Sequence, residues 1–185
     1  MIELLERPAV RHQVAPLSVD GYHKLRDLGL VRVKTELLNG VIVEKMTKSP
    51  LHTFLAQRLY DDLAADLPLG YHLRKEDPLT LATSEPEPDL AVVAGTNETF
   101  REQHPTTAEL VVEIAVSSVE IDRAKADLYA AAGVSIYWLV LAEAAEVEVY
   151  SEPGLAGYRQ IGRLGSGDLL CTWYGTRIVL DELFC

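Results

Sequence analysis

The sequence predicts a mixed α/β or α+β fold built on a central sheet, and three observations carry that expectation. Asn39-Gly40 separates two apolar runs, 35–38 and 41–44; a type I′ turn needs two positive φ angles, so the pair marks a β-hairpin. Short β-branched or apolar runs recur through the middle and C-terminal parts of the chain, divided by Pro-, Asp- and Glu-rich breaks. Two stretches, 49–68 and 118–132, carry apolar residues at helical spacing instead.

Taken in order, Ser18 can cap a short helix running to about Gly29, with Tyr22, Leu25 and Leu28 on one face. The hairpin follows. Ser49-Pro50 opens a second helix, in which Phe54, Leu55, Arg58, Leu59 and Leu63 recur until Pro68 and Gly70 end it. Strands are expected at 71–74, 79–82, 89–94 and 110–116, with the polar stretch 95–105 as a loop. Ser117 and Glu120 have the spacing of a capping box, which opens a helix stopping at Gly133. Three more strands at 136–141, 146–150 and 158–164 and a terminal turn at 181–184 complete the reading. With no repeat, low-complexity tract or long linker, the expected organisation is an N-terminal arm, 1–16, and one domain, 17–185.

The 185 residues include 17 Lys+Arg against 28 Asp+Glu, a formal net charge of −11. A 48% hydrophobic, 24% charged composition is that of a globular chain and excludes fibrous or disordered roles. The most apolar stretch, 128–142, is too short to cross a bilayer as a helix. Residues 1–10 lack a basic region followed by an apolar core, so a soluble, cytoplasmic protein is expected. Cys171 and Cys185 make neither a disulfide framework nor a zinc motif. The acidic balance disfavours nucleic-acid binding by bulk attraction; such a role needs local basic patches or metal ions.

Three acids stand where acids are ordinarily unwelcome. Glu113 is the only charge in the apolar run 110–116, whose pattern marks a strand covered on both faces, where an unpaired charge is costly. A functional carboxylate and a Glu neutralised by a buried Arg or by backbone hydrogen bonds both suit that setting. Asp89 follows Pro88 at a strand start, on one face with Ala91 and Val93, although Pro-Asp is also an ordinary turn dipeptide. Glu36 faces Val43 across the predicted turn among apolar neighbours, or lies at a sheet margin beside Lys34 or Arg32. Lys125 falls on an inward stripe with Ile121, Leu128, Tyr129 and Ala132, with snorkelling to water as the plainer alternative. Carboxylates from different strands meeting a lysine would suit metal-dependent phosphoryl chemistry, because Mg2+ takes hard oxygen ligands and keeps several waters.

The order of these residues resembles a known family. Glu-Leu-Leu-Asn-Gly at 36–40, Ser-Pro-x-His at 49–52, Pro-Asp-Leu at 88–90 and Val-Val-Glu-Ile at 111–114 are followed by Lys-x-x-x-Tyr-Ala-Ala-Ala-Gly-Val at 125–134 and Tyr-Trp-Leu-Val at 137–140. Together, over 17–184, they look like the Uma2 family of restriction-endonuclease-like proteins. The resemblance implies a PD-(D/E)XK nuclease core in which Asp89, Glu113 and the carbonyl of Ile114 hold Mg2+ or Mn2+, with Glu36 as an additional N-terminal acid. The motif's usual lysine position is occupied by Ala115. The resemblance therefore implies that Lys125 orients the water and stabilises negative charge on the phosphate. His52 and Tyr129 match recurrent family positions, either supporting the metal ligands or touching a phosphate.

The implied activity is a metal-dependent endonuclease hydrolysing phosphodiester bonds in DNA, with a homodimer as the expected assembly. Two other readings compete. A non-catalytic nucleic-acid-binding or protein-assembly module is favoured by the charge of −11. A metal-dependent hydrolase of a small phosphorylated molecule would be favoured by a closed, narrow pocket, whereas an open groove lined by Lys45, Lys48, Arg58 or Arg123 would favour the nuclease. Neither a nucleotide-phosphate loop, a dinucleotide fingerprint, a nucleophile elbow nor an H-E-x-x-H zinc motif occurs.

Overall fold

The computed structural model describes residues 7–11, 13–32 and 34–185; residues 1–6, which belong to the expected arm, lie outside the described residues. A helical turn, α1 (Pro8–Arg11), precedes α2 (Val19–Asp27). Ser18 caps α2, its hydroxyl accepting from the Gly21 N–H at 3.1 Å. The hairpin β1 (Thr35–Leu38) and β2 (Val41–Glu44) turns at Asn39 and Gly40, whose φ angles of 48° and 76° are those the turn requires. Its register sets Glu36 opposite Val43 and Leu38 opposite Val41. Helix α3 (Pro50–Ala65) begins at Ser49, which accepts from the His52 N–H, and carries Pro50 in the first turn, where the missing donor costs nothing.

Strands β3 (Tyr71–Lys75), β4 (Leu90–Ala94) and β5 (Leu110–Ala115) lead into α4 (Val119–Ala131). Strands β6 (Ile136–Leu141), β7 (Glu146–Gly154) and β8 (Gly157–Leu164) follow. These six strands form one sheet in the order β3-β4-β5-β6-β7-β8. Only β5 and β6 run parallel, joined by the α4 crossover; the other neighbours are antiparallel. A small hairpin, β9 (Leu169–Cys171) with β10 (Arg177–Val179), and α5 (Leu180–Leu183) close the chain.

Strand alternation divides the core in two. Leu110, Val112 and Ile114 of β5 face α3 and the C-terminal hairpin, packing with Leu55, Leu59, Leu63 and Trp138. Val111 and Ala115 face α4, packing with Ala91, Ala126, Tyr129, Tyr137 and Leu139. Each large side chain fully buried here contributes roughly 1.5–3 kcal/mol. By the same period of two, Glu113 is directed to the α4 side. Arg123 pins α4 to the sheet, its guanidinium donating to both carboxylate oxygens of Glu148 on β7 at 3.1 and 2.8 Å.

Four local expectations change. Residues 79–82 are not a strand: the Leu79 N–H donates to the Pro86 carbonyl and the Leu81 N–H to the Ser84 carbonyl, so this proline-rich segment folds back on itself. The capping box does not form. Ser118 precedes α4 at φ −103° and ψ 12°, near-helical rather than extended, and its hydroxyl bonds Asp122. The buried stripe of α4 is Asp122, Lys125, Ala126, Tyr129 and Ala130, which leaves Ile121 exposed and turns Asp122 inward. The β9–β10 hairpin was not expected, its strands being three residues each.

The hairpin β1–β2 is seated by backbone contacts that leave no room at Gly40. Its carbonyl accepts from the Leu17 N–H and its own N–H donates to the Thr83 carbonyl, both at 3.0 Å. A β-carbon there would meet the Pro16 ring and approach its α-carbon to 2.8 Å, on a residue already at positive φ. Gly40→Ala should therefore lower stability by about 2 kcal/mol or more, read as a fall in denaturation midpoint. Gly70→Ala, at similar φ but with open space around it, should cost about 1 kcal/mol.

Candidate active site

A cleft of about 120 Å³ opens where β4 and β5 part, its lining including Glu36, Lys45, Lys48, His52, Glu87, Asp89, Glu113 and Lys125. The β4–β5 ladder ends at Leu90 opposite Val112, and one further step of that register sets Asp89 opposite Glu113. There the backbone pairing gives way to a side chain: the Ile114 N–H donates to Asp89 Oδ2 at 2.9 Å. Pro88 lacks an N–H, so the chain leaves the ladder at this point without stranding a donor.

Asp89 is buried and fully engaged on one oxygen. Oδ2 also meets Nε2 of His52 at 3.0 Å, and Oδ1 accepts from Lys48 Nζ at 2.8 Å. Burial works to raise its pKa, yet His52 and Lys48 prevail and hold it down at about 2. Asp89 is thus held in its ionised form by its two cationic neighbours. His52 reaches it from the first turn of α3, and its other nitrogen, Nδ1, is buried with no hydrogen-bond partner.

Glu113 stands in the opposite condition. Burial, with Asp122, Asp89 and Glu36 around it, pushes its carboxyl up to about 8 against the pull of Lys125. Lys125 Nζ at 2.9 Å and the Tyr129 hydroxyl at 2.8 Å both donate to its Oε1, so these bonds leave the second oxygen unengaged. Lys125 also reaches Glu36 Oε2 at 3.0 Å and Asp122 Oδ1 at 3.4 Å. With only 6% of its side chain exposed, Lys125 does not snorkel. Burial opposes its charge, but Glu113, Glu36 and Asp122 together raise its pKa above the ordinary lysine value.

Glu36 completes the floor of the cleft. Its Oε1 accepts from the Glu87 N–H at 2.8 Å and lies 3.7 Å from Lys45 Nζ, which itself pairs with Glu87 at 3.0 Å. The alternative partners expected from sequence do not serve: Arg32 pairs with Glu44. All four sequence-derived candidates, Glu36, Asp89, Glu113 and Lys125, therefore meet in one place, with His52 bonding Asp89 and Tyr129 bonding Glu113. Of the cations expected along a groove, Lys45 and Lys48 line the cleft. Arg123 is held on Glu148, and Arg58 lies over the Phe54 ring near the C-terminal carbonyl.

Sequence reasoning missed Asp122 and the pairing of Lys48 with Asp89. Asp122 sits three residues before Lys125 on a helix, a spacing at which the two meet on one face, and that signal was available. The Lys48 contact joins positions 41 residues apart in the chain, and no local pattern records it.

Residues 20–171 match the Uma2 family model, described as "Putative restriction endonuclease". No curated protein matches the chain in sequence. Among solved structures, "a putative nuclease belonging to DUF820" from Anabaena variabilis ATCC 29413 aligns with a TM-score of 0.76 at 15% identity, covering 91% of this chain and 98% of that one. A likeness at that identity shows a common fold. The family match extends over most of the chain, and the protein belongs to the Uma2 family.

Proposed function

We propose that the protein is a metal-dependent endonuclease that hydrolyses phosphodiester bonds in DNA. The observation that carries this reading is the meeting of Asp89 and Glu113 at the parting of β4 and β5, with Lys125 against Glu113 at 2.9 Å. The donor set suits a hard divalent cation. It offers carboxylate oxygens, and burial, with Asp122, Asp89 and Glu36 adding to it, pushes the Glu113 carboxyl up to about 8, a penalty that a bound dication would relieve. Among the described residues no three His, Cys, Asp or Glu side chains converge as a ready-made cage. Mg2+ does not need one, since one or two carboxylates and several waters satisfy it.

Asp89, Glu113 and the carbonyl of Ile114 would hold Mg2+ or Mn2+, which when bound supplies a water of lowered pKa and neutralises charge on the phosphoryl oxygens. The chain's own residues do the rest. His52 and the Ile114 N–H fix the Asp89 carboxylate by two bonds to one oxygen. Tyr129 and Lys125 fix Glu113 in the same way. Lys125, charged and lining the cleft, presents a cation to the negative charge that develops on the phosphate. A cleft of about 120 Å³ is smaller than the roughly 300–1,000 Å³ that encloses a whole small ligand. Lys45 and Lys48 in its lining are the feature that favours a substrate offering its phosphate to the cleft while its bulk stays outside, as a polynucleotide does.

Two results are expected. Supercoiled plasmid should be cut with Mg2+ or Mn2+ and not with EDTA, and Asp89→Asn should reduce the rate at least about 10³-fold, the scale of several kcal/mol of metal assistance. A wild-type protein that folds, binds metal and leaves plasmid, single-stranded DNA and RNA intact would turn the reading toward a small phosphorylated substrate. The second concerns stability. Glu113→Gln removes an acid that burial and its acidic neighbours push toward neutrality at a cost to the apo fold, so it should raise Tm in EDTA by roughly 2–5 °C. The same variant should lose the metal-induced rise in Tm, which for wild type at a hundred times Kd corresponds to about 2.7 kcal/mol. Differential scanning calorimetry with and without Mn2+ checks both.

A further inference from the structure

The two oxygens of Asp89 are unlike. Oδ2 takes two bonds, from His52 and the Ile114 N–H, which occupy both of its lone-pair directions. Oδ1 takes one, from Lys48. The oxygen of Asp89 with capacity for a metal ion is therefore the one on which an ammonium already sits. Lys48 belongs to the irregular link between β2 and α3, and its side chain is 29% exposed against 9% for Asp89. It has a second resting place: Glu76 Oε1, on the solvent side with 47% of its side chain exposed, lies 3.0 Å from the same Nζ. Lys125 has no such freedom, enclosed by three carboxylates at 6% exposure.

We infer that Lys48 is a placeholder for the divalent cation. It neutralises Asp89 while the site lacks metal, leaves Oδ1 when a dication takes that oxygen, and then serves at the cleft mouth as a cation for the substrate's phosphate. The step follows from charge. A dication held by Oδ1 would share the oxygen that Lys48 Nζ now contacts at 2.8 Å, and two positive charges on one oxygen repel strongly in a partly buried cleft. Glu76 keeps the displaced ammonium beside the cleft instead of releasing it to bulk water. The lysines thus divide the work: Lys125 is fixed, and Lys48 moves with the state of the metal site.

This inference rests on the metal-dependent reading above, and its test separates the two. Isothermal titration with MnCl2 compares wild type, Lys48→Ala and Asp89→Asn. Fluorescence anisotropy of a labelled DNA duplex is measured in Ca2+ and in EDTA. Lys48→Ala should bind Mn2+ about tenfold more tightly, because the competing cation is gone. It should bind duplex about tenfold more weakly in Ca2+ while matching wild type in EDTA. A lysine that merely supported the fold would, when lost, weaken metal binding, as removal of a ligand's hydrogen-bond partner does. Equal or weaker Mn2+ binding by Lys48→Ala overturns the placeholder, and tighter Mn2+ binding with unchanged duplex affinity in Ca2+ overturns its second role. If wild type takes up no Mn2+, or Asp89→Asn binds it equally well, the metal-dependent reading itself fails and the placeholder falls with it.

Discussion

The buried pairing of Lys125 with Glu113 is the constraint on which the site depends. Three structural units meet in it: β5 brings Glu113, α4 brings Lys125 and Asp122, and the N-terminal hairpin brings Glu36. Desolvating such charges is expensive, and what offsets it is the lysine, which faces Glu113, Glu36 and Asp122 together. Removing the lysine would leave three buried acids facing one another, at a cost of about 3–5 kcal/mol. The hairpin is thus more than a decoration on the sheet. Its Glu36 helps balance a charge that lies in the core, and its turn at Gly40 is fastened to 16–17 and 83–84 so that Glu36 stays in reach.

Neighbouring strands give Asp89 and Glu113 opposite environments. Asp89 is held ionised by a histidine, a lysine and a backbone N–H, whereas Glu113, with other acids near it, is held toward neutrality. Opposed conditions in adjacent carboxyl groups recur where acids serve chemistry, and they support the proposed reading. A fold optimised only to persist would place an apolar residue at 113, between Val112 and Ile114. The net charge of −11 pulls the other way, since it disfavours bulk attraction of a polyanion and leaves such binding to local cations such as Lys45 and Lys48 or to a metal ion.

Local patterns carried much of the fold. Asn39-Gly40 dictates the hairpin and its register, and the apolar run around Glu113 marks the covered strand. The period of two then set which face each acid would share. Where a local signal competed with a long-range one, the sequence misled. Leu79 and Leu81 look like strand residues, but prolines 78, 86 and 88 make the segment turn back, and its two leucines fill the core beneath α4. Ser117 and Glu120 have capping-box spacing, yet the hydroxyl of Ser118 is drawn to Asp122 in the cleft. The contacts of Lys48 with Asp89 and of Lys45 with Glu87 join distant parts of the chain and leave no periodic trace.

A crystal grown with MnCl2 and measured for anomalous scattering would examine most directly whether β4 and β5 together build a metal centre. A single strong peak between Asp89 Oδ1 and Glu113, near the Ile114 carbonyl, is the result expected, with Lys48 Nζ no longer on Oδ1. A fully bound Mn2+ elsewhere on the surface, with Lys48 still paired to Asp89, would contradict it and leave the acids of the cleft as a structural charge network.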